Sequence, residues 1–352
     1  MITDSLIPTS LDIQRILSIR SKTFTNKEKY LLDKLEAGAA GERKVLEFIK
    51  EFGEEHWVIL HNIWMNLTGE QEYDIILITR HACYIFEVKN YSHLFSIENS
   101  ICKINGHFMD KHIVTQTVRC KKNLKQILQN VPGKFKVHGV LVFIGEHSRI
   151  QIEDPINDID IVLKNELRDY IQMIAQEEKA HSTSYIDSSK IIETLERFSI
   201  NNPYPAQPNP YDKICSLRKG IHCGFCHNFN IKINKNKISC VCGYIESKEE
   251  AVIRTICEYG ALNFTSTLKK KELKILMNNQ VSDHYLRKVL DTHFIKVSNF
   301  SHTYYVNYKL PYYRISSKFN LAHSFQLIIE NKNLQSTINY LNLLEKYRDP
   351  FD

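Results

Sequence analysis

Two apolar segments separated by two residues most constrain how this chain can fold. Residues 72–79 and 82–89 are rich in Ile, Val, Tyr and Phe, a composition typical of β-strands. Because the connection is so short, we predict an antiparallel hairpin. A longer loop is the alternative, since the two linking residues do not favour a type I′ turn. In the hairpin register, Asp74 lies opposite Glu87.

The charged residues in these strands are candidates for a metal site. Glu87 and Lys89 are two residues apart on one strand, so both side chains leave the same face. Directly opposed Cβ atoms lie about 4.5–5.5 Å apart, so the carboxylates of Asp74 and Glu87 repel each other unless a cation lies between them. A hard divalent ion takes such oxygen ligands, and a lysine beside it can orient water or neutralise developing charge. A half-exposed hairpin with a salt bridge is the alternative.

The sequence on either side predicts further helices and strands. Apolar residues recur at helical spacing from Lys27 to Phe52, but Gly38 and Gly41 interrupt the middle of this pattern. Each glycine weakens a helix by about 1 kcal/mol relative to Ala, so we expect a break or a close backbone approach, with Glu42 opening the next helix. Other predicted elements are strands at 57–64, 95–108 (a pair about an Asn-Gly turn), 136–144 and 159–163, and helices at 114–128, 167–175 and 191–198.

Several of these residues match the pattern of one known family. A Gly-x-x-Gly-Glu helix start is met at residues 38–42, and an Asp at the start of a strand is met by Asp74. A Glu-x-Lys at the end of the next strand is met by Glu87 and Lys89, and a glutamine opening the later helix is met by Gln116. The sequence resembles the nuclease-related domain, NERD, of the PD-(D/E)xK nuclease superfamily.

The resemblance covers about residues 36–145 and implies both a fold and an activity. The implied fold is an α/β (α+β) restriction-endonuclease-like core, with a mixed central sheet flanked by helices. The implied activity is hydrolysis of phosphodiester bonds with a divalent metal ion. The chain departs from the superfamily pattern at Tyr73, where a proline usually precedes the Asp.

The resemblance also implies roles for individual residues. Asp74 and Glu87, with the backbone carbonyl of Val88, would hold Mg²⁺ or Mn²⁺. Lys89 would position the attacking water and stabilise developing charge. The two other implied catalytic residues are Glu42, for the metal or a bound water, and Gln116, for the scissile phosphate or the lysine; a plain surface residue is the alternative for Gln116.

Four of the nine cysteines lie close together in the sequence, as Cys223-Gly-Phe-Cys226 and Cys240-Val-Cys242. A short hairpin over residues 229–236 would bring the two pairs together, and four thiolates hold Zn²⁺ in a tetrahedral site. The first pair resembles a zinc-ribbon knuckle, whereas the second is Cys-x-Cys rather than Cys-x-x-Cys. Candidate replacements for the fourth ligand are Cys215, His222 and His227.

The predicted zinc is structural, because four sulfur ligands would leave no open coordination position. A disulfide framework is not expected, since the N-terminus lacks the basic and apolar regions of a secretory signal. Reduced free thiols are the alternative to zinc. No thioredoxin-like pattern surrounds Cys223 and Cys226 to support a redox role.

The segment after the cysteines resembles a winged helix-turn-helix. Three short helices and a hairpin are predicted there, at 249–262, 270–277 and 283–291 and at 294–297 and 303–307. Ser282 would cap the third helix. The alternative is a small helical module for oligomerisation or protein contact. The candidate nucleic-acid-binding residues are Lys269, Lys270, Lys271, His284, Tyr285, Arg287 and Lys288.

A proline-rich run at residues 201–210 marks the clearest domain boundary, because proline fixes φ and removes backbone donors. We predict a helix at 334–347 as a candidate dimerisation surface. The predicted organisation is an N-terminal extension (1–26), the nuclease-related domain (27–200, motif core 36–145), a linker (201–214), a zinc-ribbon-like module (215–247), a winged-helix-like module (248–310) and a helical tail (311–352).

The basic charge is concentrated in one part of the chain. The 352 residues carry a formal net charge of +6, but residues 215–320 hold 17 Lys and Arg against 7 Asp and Glu. This excess fits a polyanion partner, with a lysine-rich surface typical of an AT-rich genome as the alternative. No stretch approaches the roughly 20 apolar residues of a membrane span, so we expect a cytoplasmic protein without a membrane partner.

These observations predict a nuclease that uses Mg²⁺ or Mn²⁺ and contains structural Zn²⁺, with nucleic acid as partner and DNA favoured over RNA. A role in defence against foreign DNA follows by analogy alone. The alternative function is a catalytically inactive or partner-activated module that binds nucleic acid or protein. A zinc-dependent regulator is a third interpretation, and a homo-oligomer or a separate protein partner stays open.

Overall fold

The structure is a computed structural model. It describes residues 8–98, 101–109, 112–133, 136–153, 156, 158–180, 187–207, 209–264, 267–299, 302–306 and 328–330. The predicted helix at 334–347 lies outside these residues. Within the described ranges, no helix is long and apolar enough to cross a membrane.

Nine α-helices and sixteen strands lie in these ranges. The helices are α1 (Ser10–Arg20), α2 (Asn26–Phe52), α3 (Ile113–Ile127), α4 (Leu167–Ala180), α5 (Ser188–Phe198), α6 (Tyr211–Ser216), α7 (Lys248–Leu262), α8 (Lys270–Leu276) and α9 (Asp283–His293). The strands are β1 (Val58–Asn66), β2 (Glu70–Ile78), β3 (Ala82–Lys89), β4 (Leu94–Glu98), β5 (Ile101–Ile104), β6 (His107–Phe108), β7 (Lys136–Phe143), β8 (Arg149–Ile152), β9 (Asp160–Leu163), β10 (Ser199–Ile200), β11 (Ile231–Ile233), β12 (Lys237–Cys240), β13 (Ile245–Ser247), β14 (Ile295–Asn299), β15 (His302–Val306) and β16 (Ile328–Glu330).

The chain divides into two compact units. The first, here called the cysteine unit, combines residues 1–36 with 204–320, and the second, the sheet unit, combines 37–203 with 321–352. The finer domain limits given above stay predictions.

The sheet unit is built on a mixed sheet with the strand order β10-β1-β2-β3-β7-β9, and β16 also pairs with β1. Strands β1 to β3 are antiparallel, whereas β3, β7 and β9 run parallel. Helices α2 and α4 bury apolar side chains on one face of the sheet, and α3 and α5 bury theirs on the other. The predicted mixed α/β fold class is therefore confirmed.

The predicted hairpin between β2 and β3 is confirmed, including its register. Ile75 pairs with Phe86 and Ile78 with Cys83, as the predicted pairing requires. The Thr79 backbone N–H donates to the Ala82 carbonyl at 3.0 Å and closes the two-residue turn. The longer loop is not needed, because the Thr79 hydroxyl accepts the Ala82 N–H and stabilises this unfavourable turn sequence.

The predicted break in the first helix is wrong, whereas the predicted close approach is confirmed. Helix α2 continues through both glycines. Gly41 is buried, and a Cβ added there would lie 2.9 Å from Asn90 Cβ and 3.1 Å from Ile144 Cγ2. Glycine is therefore present so that the helix can pack against these two residues, and Glu42 lies inside the helix rather than at its start.

Replacing Gly41 with Ala should destabilise the sheet unit, although alanine favours helices by about 1 kcal/mol. The added methyl group would overlap a Cβ atom that cannot rotate away, and overpacking of this kind costs about 1–3 kcal/mol. Gly38→Ala is the matched control, because nothing lies within 4 Å of its added Cβ. In urea unfolding, the free energy of unfolding should be higher than that of the wild type for Gly38→Ala and lower for Gly41→Ala. Equal stability of the two variants would contradict the packing argument.

The cysteine unit is held together around helix α7. Helix α1 contributes Ile13, Ile16 and Leu17 to its apolar core, although residues 1–26 show no clear core pattern in the sequence. The Arg20 guanidinium lies 2.6 Å from the Glu258 carboxylate, and both side chains are fully buried. Burial alone would raise the pKa of Glu258, but Arg20 and His222 outweigh it and hold that pKa well below its usual range.

The three helices and the hairpin predicted after the cysteines are confirmed as α7, α8, α9 and the β14–β15 pair. Leu268 and Tyr305 exchange two backbone hydrogen bonds at 2.9 and 3.0 Å, so a third chain segment lies beside the hairpin. Ser282 caps α9 as predicted, since its hydroxyl accepts the Tyr285 backbone N–H.

Candidate active site and cysteine cluster

Strands β2 and β3 part at the point where the predicted acidic residues lie. Their ladder ends at the Ile75–Phe86 pair, and Asp74 and Glu87 come directly after it. The Asp74 Oδ2 atom accepts the Val88 backbone N–H at 2.8 Å, so this carboxylate is fixed across the opening between the strands. The hairpin register therefore brings the two carboxylates to the same point of the sheet.

Lys89 and Gln116 meet Glu87 at one oxygen atom. Lys89 Nζ donates to Glu87 Oε1 at 2.5 Å, and Gln116 Nε2 donates to the same oxygen at 2.8 Å. Gln116 lies in the first turn of α3, where the sequence placed it. Glu87 is only 2% exposed, so these two donors satisfy a carboxylate that water scarcely reaches.

The electrostatics of this cluster show an excess of negative charge. Burial raises the pKa of Asp74 well above its usual range, and the Glu87 and Glu42 carboxylates raise it further. Burial alone would lower the pKa of Lys89, but Glu87 and Asp74 outweigh it and raise that pKa. One lysine thus offsets only part of the repulsion, and a second cation would be stabilised here.

Two residues that the sequence analysis missed lie beside Glu42. The first is His61, whose Nε2 atom lies 2.9 Å from Glu42 Oε2. The second is Glu72, whose pKa is raised by burial and by the charge of Glu42. Glu72 precedes Asp74 by two residues, a spacing that could have indicated it. His61 gave a weaker signal, as one histidine in the apolar strand β1 opposite Ile75.

The donor set fits a hard divalent ion. Among the described residues, hydrogen bonds occupy only Oδ2 of Asp74 and Oε1 of Glu87, so each carboxylate keeps a second oxygen. Carboxylate and carbonyl oxygens are the ligands that Mg²⁺ and Mn²⁺ prefer. The backbone carbonyl of Val88 is the third predicted ligand, on the strand between Glu87 and Lys89.

The family comparison agrees with this geometry. Residues 37–144 match the family model of the nuclease-related domain. The matched region lies entirely within the sheet unit. The predicted resemblance, placed at about 36–145, is confirmed over this range, and such a domain implies nucleic-acid binding. No curated protein and no solved structure gives a significant match to the chain.

Outside the nuclease-related domain, the four predicted cysteines gather at one point of the cysteine unit. The sulfur atoms of Cys223, Cys226, Cys240 and Cys242 all lie within 4.8 Å of one another. Cys223 Sγ is 3.8 Å from Cys242 Sγ, and Cys226 Sγ is 3.5 Å from Cys240 Sγ. Zinc–sulfur bonds of ~2.3 Å place the ligands of a tetrahedral site about 3.8 Å apart. These four cysteines could therefore bind a zinc ion.

None of the three candidate replacement ligands belongs to this described cluster. Cys215 is exposed and lies outside it. His222 instead places its Nε2 atom 2.8 Å from the Glu258 carboxylate, and burial lowers the pKa of His227. The Cys-x-Cys spacing still brings both sulfurs together, because Gly243 has a φ of +87° and the chain turns sharply after Cys242.

The cluster is carried by the small antiparallel sheet β11-β12-β13. A hairpin does bring the two pairs together, but β11 and β12 form it over residues 231–240 rather than the predicted 229–236, with Ile231 opposite Cys240. The Cys240 backbone N–H donates to the Tyr244 carbonyl. The backbone N–H of Tyr244 lowers the pKa of the Cys242 thiol to about 7, whereas at Cys226 the neighbouring thiols outweigh the Asn228 backbone and raise the pKa to about 12. A low thiol pKa favours the thiolate form that metals bind.

The predicted nucleic-acid-binding residues of α9 share one surface. His284, Arg287 and Lys288 are exposed and follow at helical spacing. The lysines beside α8 are partly engaged, since Lys269 lies 3.5 Å from Glu272 and Lys270 lies 3.3 Å from Asp283. Lys271 is exposed, and the ring of Tyr285 lies under Lys248 Nζ at 4.4 Å.

Proposed function

We propose that this protein is a metal-dependent nuclease that hydrolyses phosphodiester bonds, with DNA as the favoured substrate. The observation that carries the proposal is the meeting of Asp74, Glu87 and Lys89 where β2 and β3 part, within a nuclease-related domain. A salt bridge alone does not explain the arrangement, because one lysine serves two carboxylates and the pKa of Asp74 stays raised.

The chain's own groups suit each part of this reaction. Asp74, Glu87 and the Val88 carbonyl would hold Mg²⁺ or Mn²⁺, which when bound supplies charge stabilisation at the phosphate. Lys89, fixed at 2.5 Å from Glu87, would position the attacking water and stabilise charge on the phosphate oxygens. Gln116 would hold the Glu87 carboxylate in place or contact the phosphate, since it donates to the same oxygen.

Glu42 would complete the site from α2 by holding the metal or a water bound to it. Burial and Glu87 are the main causes of the raised pKa of Asp74, and the Glu42 carboxylate adds to it. His61, at 2.9 Å, would act as a positioning residue that fixes the orientation of Glu42.

The cysteine unit would recruit the substrate. Helices α7 to α9, the β14–β15 hairpin and the Leu268–Tyr305 bridge give it the element order of a winged helix. The exposed face with His284, Arg287 and Lys288 would contact nucleic acid, and Zn²⁺ would stabilise the cysteine cluster. The defence role rests on analogy with other nucleases of this kind.

A comparison of Lys89→Ala with the wild type tests the proposed function. We expect the wild type to cut supercoiled plasmid or single-stranded DNA with Mg²⁺ or Mn²⁺ and not with EDTA. Loss of a charge-stabilising donor lowers such rates by about 10²–10³-fold, so Lys89→Ala should cut at least about a hundredfold more slowly. Lys164→Ala is the matched control, since that half-buried lysine pairs with the exposed Glu146 in the same unit.

Two results would count against the proposal. Cutting by Lys89→Ala at the wild-type rate would exclude this cluster as the active site. No cutting by folded wild-type protein under any of these conditions would favour the alternative function, a binding or partner-activated module.

A further inference from the structure

Two aromatic rings are exposed at the cysteine cluster. Phe225 lies between Cys223 and Cys226 and is 71% exposed, and Tyr244 follows Cys242 and is 41% exposed. Their rings are nearly parallel, with centroids 5.8 Å apart and an angle of 27° between the planes. The two rings together form an aromatic surface, of which Phe225 is the more exposed part.

This surface is rigidly placed, because the cluster itself fixes the backbone that carries it. The Phe225 N–H donates to Cys223 Sγ at 3.4 Å, and the Tyr244 carbonyl accepts the Cys240 N–H at 3.0 Å. Val241 and Ile245, on the same turn and strand, are 74% and 60% exposed. Contiguous exposed apolar groups on a small module are typical of a binding surface.

The segment that carries the rings has a net positive charge, even when the four thiolates of a zinc site are counted. Residues 215–245 contain five Lys and Arg and no Asp or Glu. The next acidic residue, Glu246, is buried and paired with Arg254 at 2.6 Å, so it adds no exposed negative charge. A polyanion complements this composition better than a basic or a neutral apolar partner does.

Two lysines lie on the face of the small sheet that also carries Ile245, whereas Tyr244, opposite Cys240, projects to the other face. Lys232 pairs with Ser239, which in turn pairs with Ile245, so the three residues form one row across β11, β12 and β13. Residues paired across a sheet project to the same face. Lys237 lies two residues before Ser239 and projects to that face as well, and both lysines are exposed.

We propose that Phe225 and Tyr244 stack on unpaired bases of a single-stranded nucleic acid whose phosphates contact the basic residues of the same segment. Stacking on aromatic rings combined with a basic surface is how proteins bind single strands without reading sequence. The bases of a duplex are already stacked on one another, so a duplex offers the rings only its ends. This inference rests on the proposed function for its nucleic-acid partner and adds which strand form the protein binds.

The test compares Phe225→Ala/Tyr244→Ala with the wild type by fluorescence anisotropy of a labelled thymidine oligonucleotide, with full-length zinc-loaded protein and no Mg²⁺ or Mn²⁺. Stacking contributes about 1–3 kcal/mol per base, so we expect binding to weaken about fivefold to 150-fold for each base that loses its stacking ring. The slope of affinity against salt should stay unchanged, whereas Lys232→Ala should reduce it by about 0.7. Ile275→Ala is the matched control, because Ile275 is exposed on α8 away from the cluster.

Further arms separate stacking from charge and from misfolding. Phe225→Trp/Tyr244→Trp should keep wild-type affinity, and an abasic oligonucleotide of the same length should bind the wild type and the alanine variant equally. A zinc assay should give the same metal content for every variant. Unchanged affinity of the alanine variant, or equal loss on the thymidine and abasic strands, would overturn the inference. Because no cleavage is measured, these results are independent of whether the protein cuts.

Discussion

Replacing Asp74 with Asn should abolish metal-dependent cleavage and at the same time stabilise the metal-free protein. Asparagine has nearly the same shape and can still accept the Val88 N–H, so the local fold should persist. The substitution removes one of the carboxylates that repel each other beside Glu87 and Glu42. A residue that weakens the fold but is needed for chemistry is typical of an active site.

The pH dependence gives this prediction a definite sign. The raised pKa of Asp74 means that the folded protein binds this proton more tightly than the unfolded chain does. Stability therefore falls as pH rises from the ordinary carboxyl pKa through the raised one, and the loss is complete above it. At neutral pH Asp74→Asn avoids this loss. Its stability advantage over the wild type should therefore shrink as the pH is lowered toward the pKa of the carboxyl in the unfolded chain.

Thermal unfolding at pH 7 and pH 5 without added divalent ions measures the effect. A gain on the order of 1 kcal/mol corresponds to a rise in Tm of about 2–4 °C for a domain of this size. Asp169→Asn is the matched control, since Asp169 is exposed in the first turn of α4. Mg²⁺ or Mn²⁺ should then raise the Tm of the wild type and the control but not of Asp74→Asn. Equal stabilisation of all three by the metal would show that Asp74 is not a ligand.

Replacing Cys226 with Ser should cause the largest loss of stability. A structural zinc site contributes about 10–16 kcal/mol, which is comparable with the whole stability of a typical domain, about 5–15 kcal/mol. Cys226 is exposed, so the change removes little packing and acts through the lost thiolate. We expect the variant to lose bound zinc and the small sheet β11-β12-β13 to unfold.

Hydrogen exchange followed peptide by peptide measures this loss. Amides of β11 to β13 should lose protection in Cys226→Ser, while those of β1 to β3 in the sheet unit should keep it. Cys215→Ser provides the control, because Cys215 is an exposed cysteine outside the cluster. If the amides of β11 to β13 stayed fully protected in zinc-free Cys226→Ser, the four cysteines would lie close together without a metal, and the small sheet would not need one to fold.

The candidate active site could be predicted because it depends on local rules. Side-chain alternation along a strand and the length of one turn fix the register, and the register places Asp74 opposite Glu87. The family resemblance supplied Glu42 and Gln116, which lie on separate helices and which no spacing connects to the strands.

The features that could not be predicted depend on contacts between distant residues. From the sequence alone, Gly41 looks like a break in a helix. In the structure it is required because its backbone packs against Asn90 and Ile144, which leave no room for a Cβ. His61 joins the site because β1 pairs with β2, which sequence periodicity does not reveal. Helix α1 lies in a segment whose sequence shows no clear core pattern, yet it fills part of the core around α7.

The buried Arg20–Glu258 pair has a practical consequence for dividing this protein into fragments. A fragment that starts after the proline-rich run would retain the cysteines and α7 but would lack α1 and its guanidinium. Glu258 would then keep His222 at 2.8 Å but lose the cation that most lowers its pKa. Removing one partner of a buried ion pair costs about 3–5 kcal/mol. Expression of the C-terminal part by itself is therefore best attempted with residues 8–36 supplied on the same polypeptide.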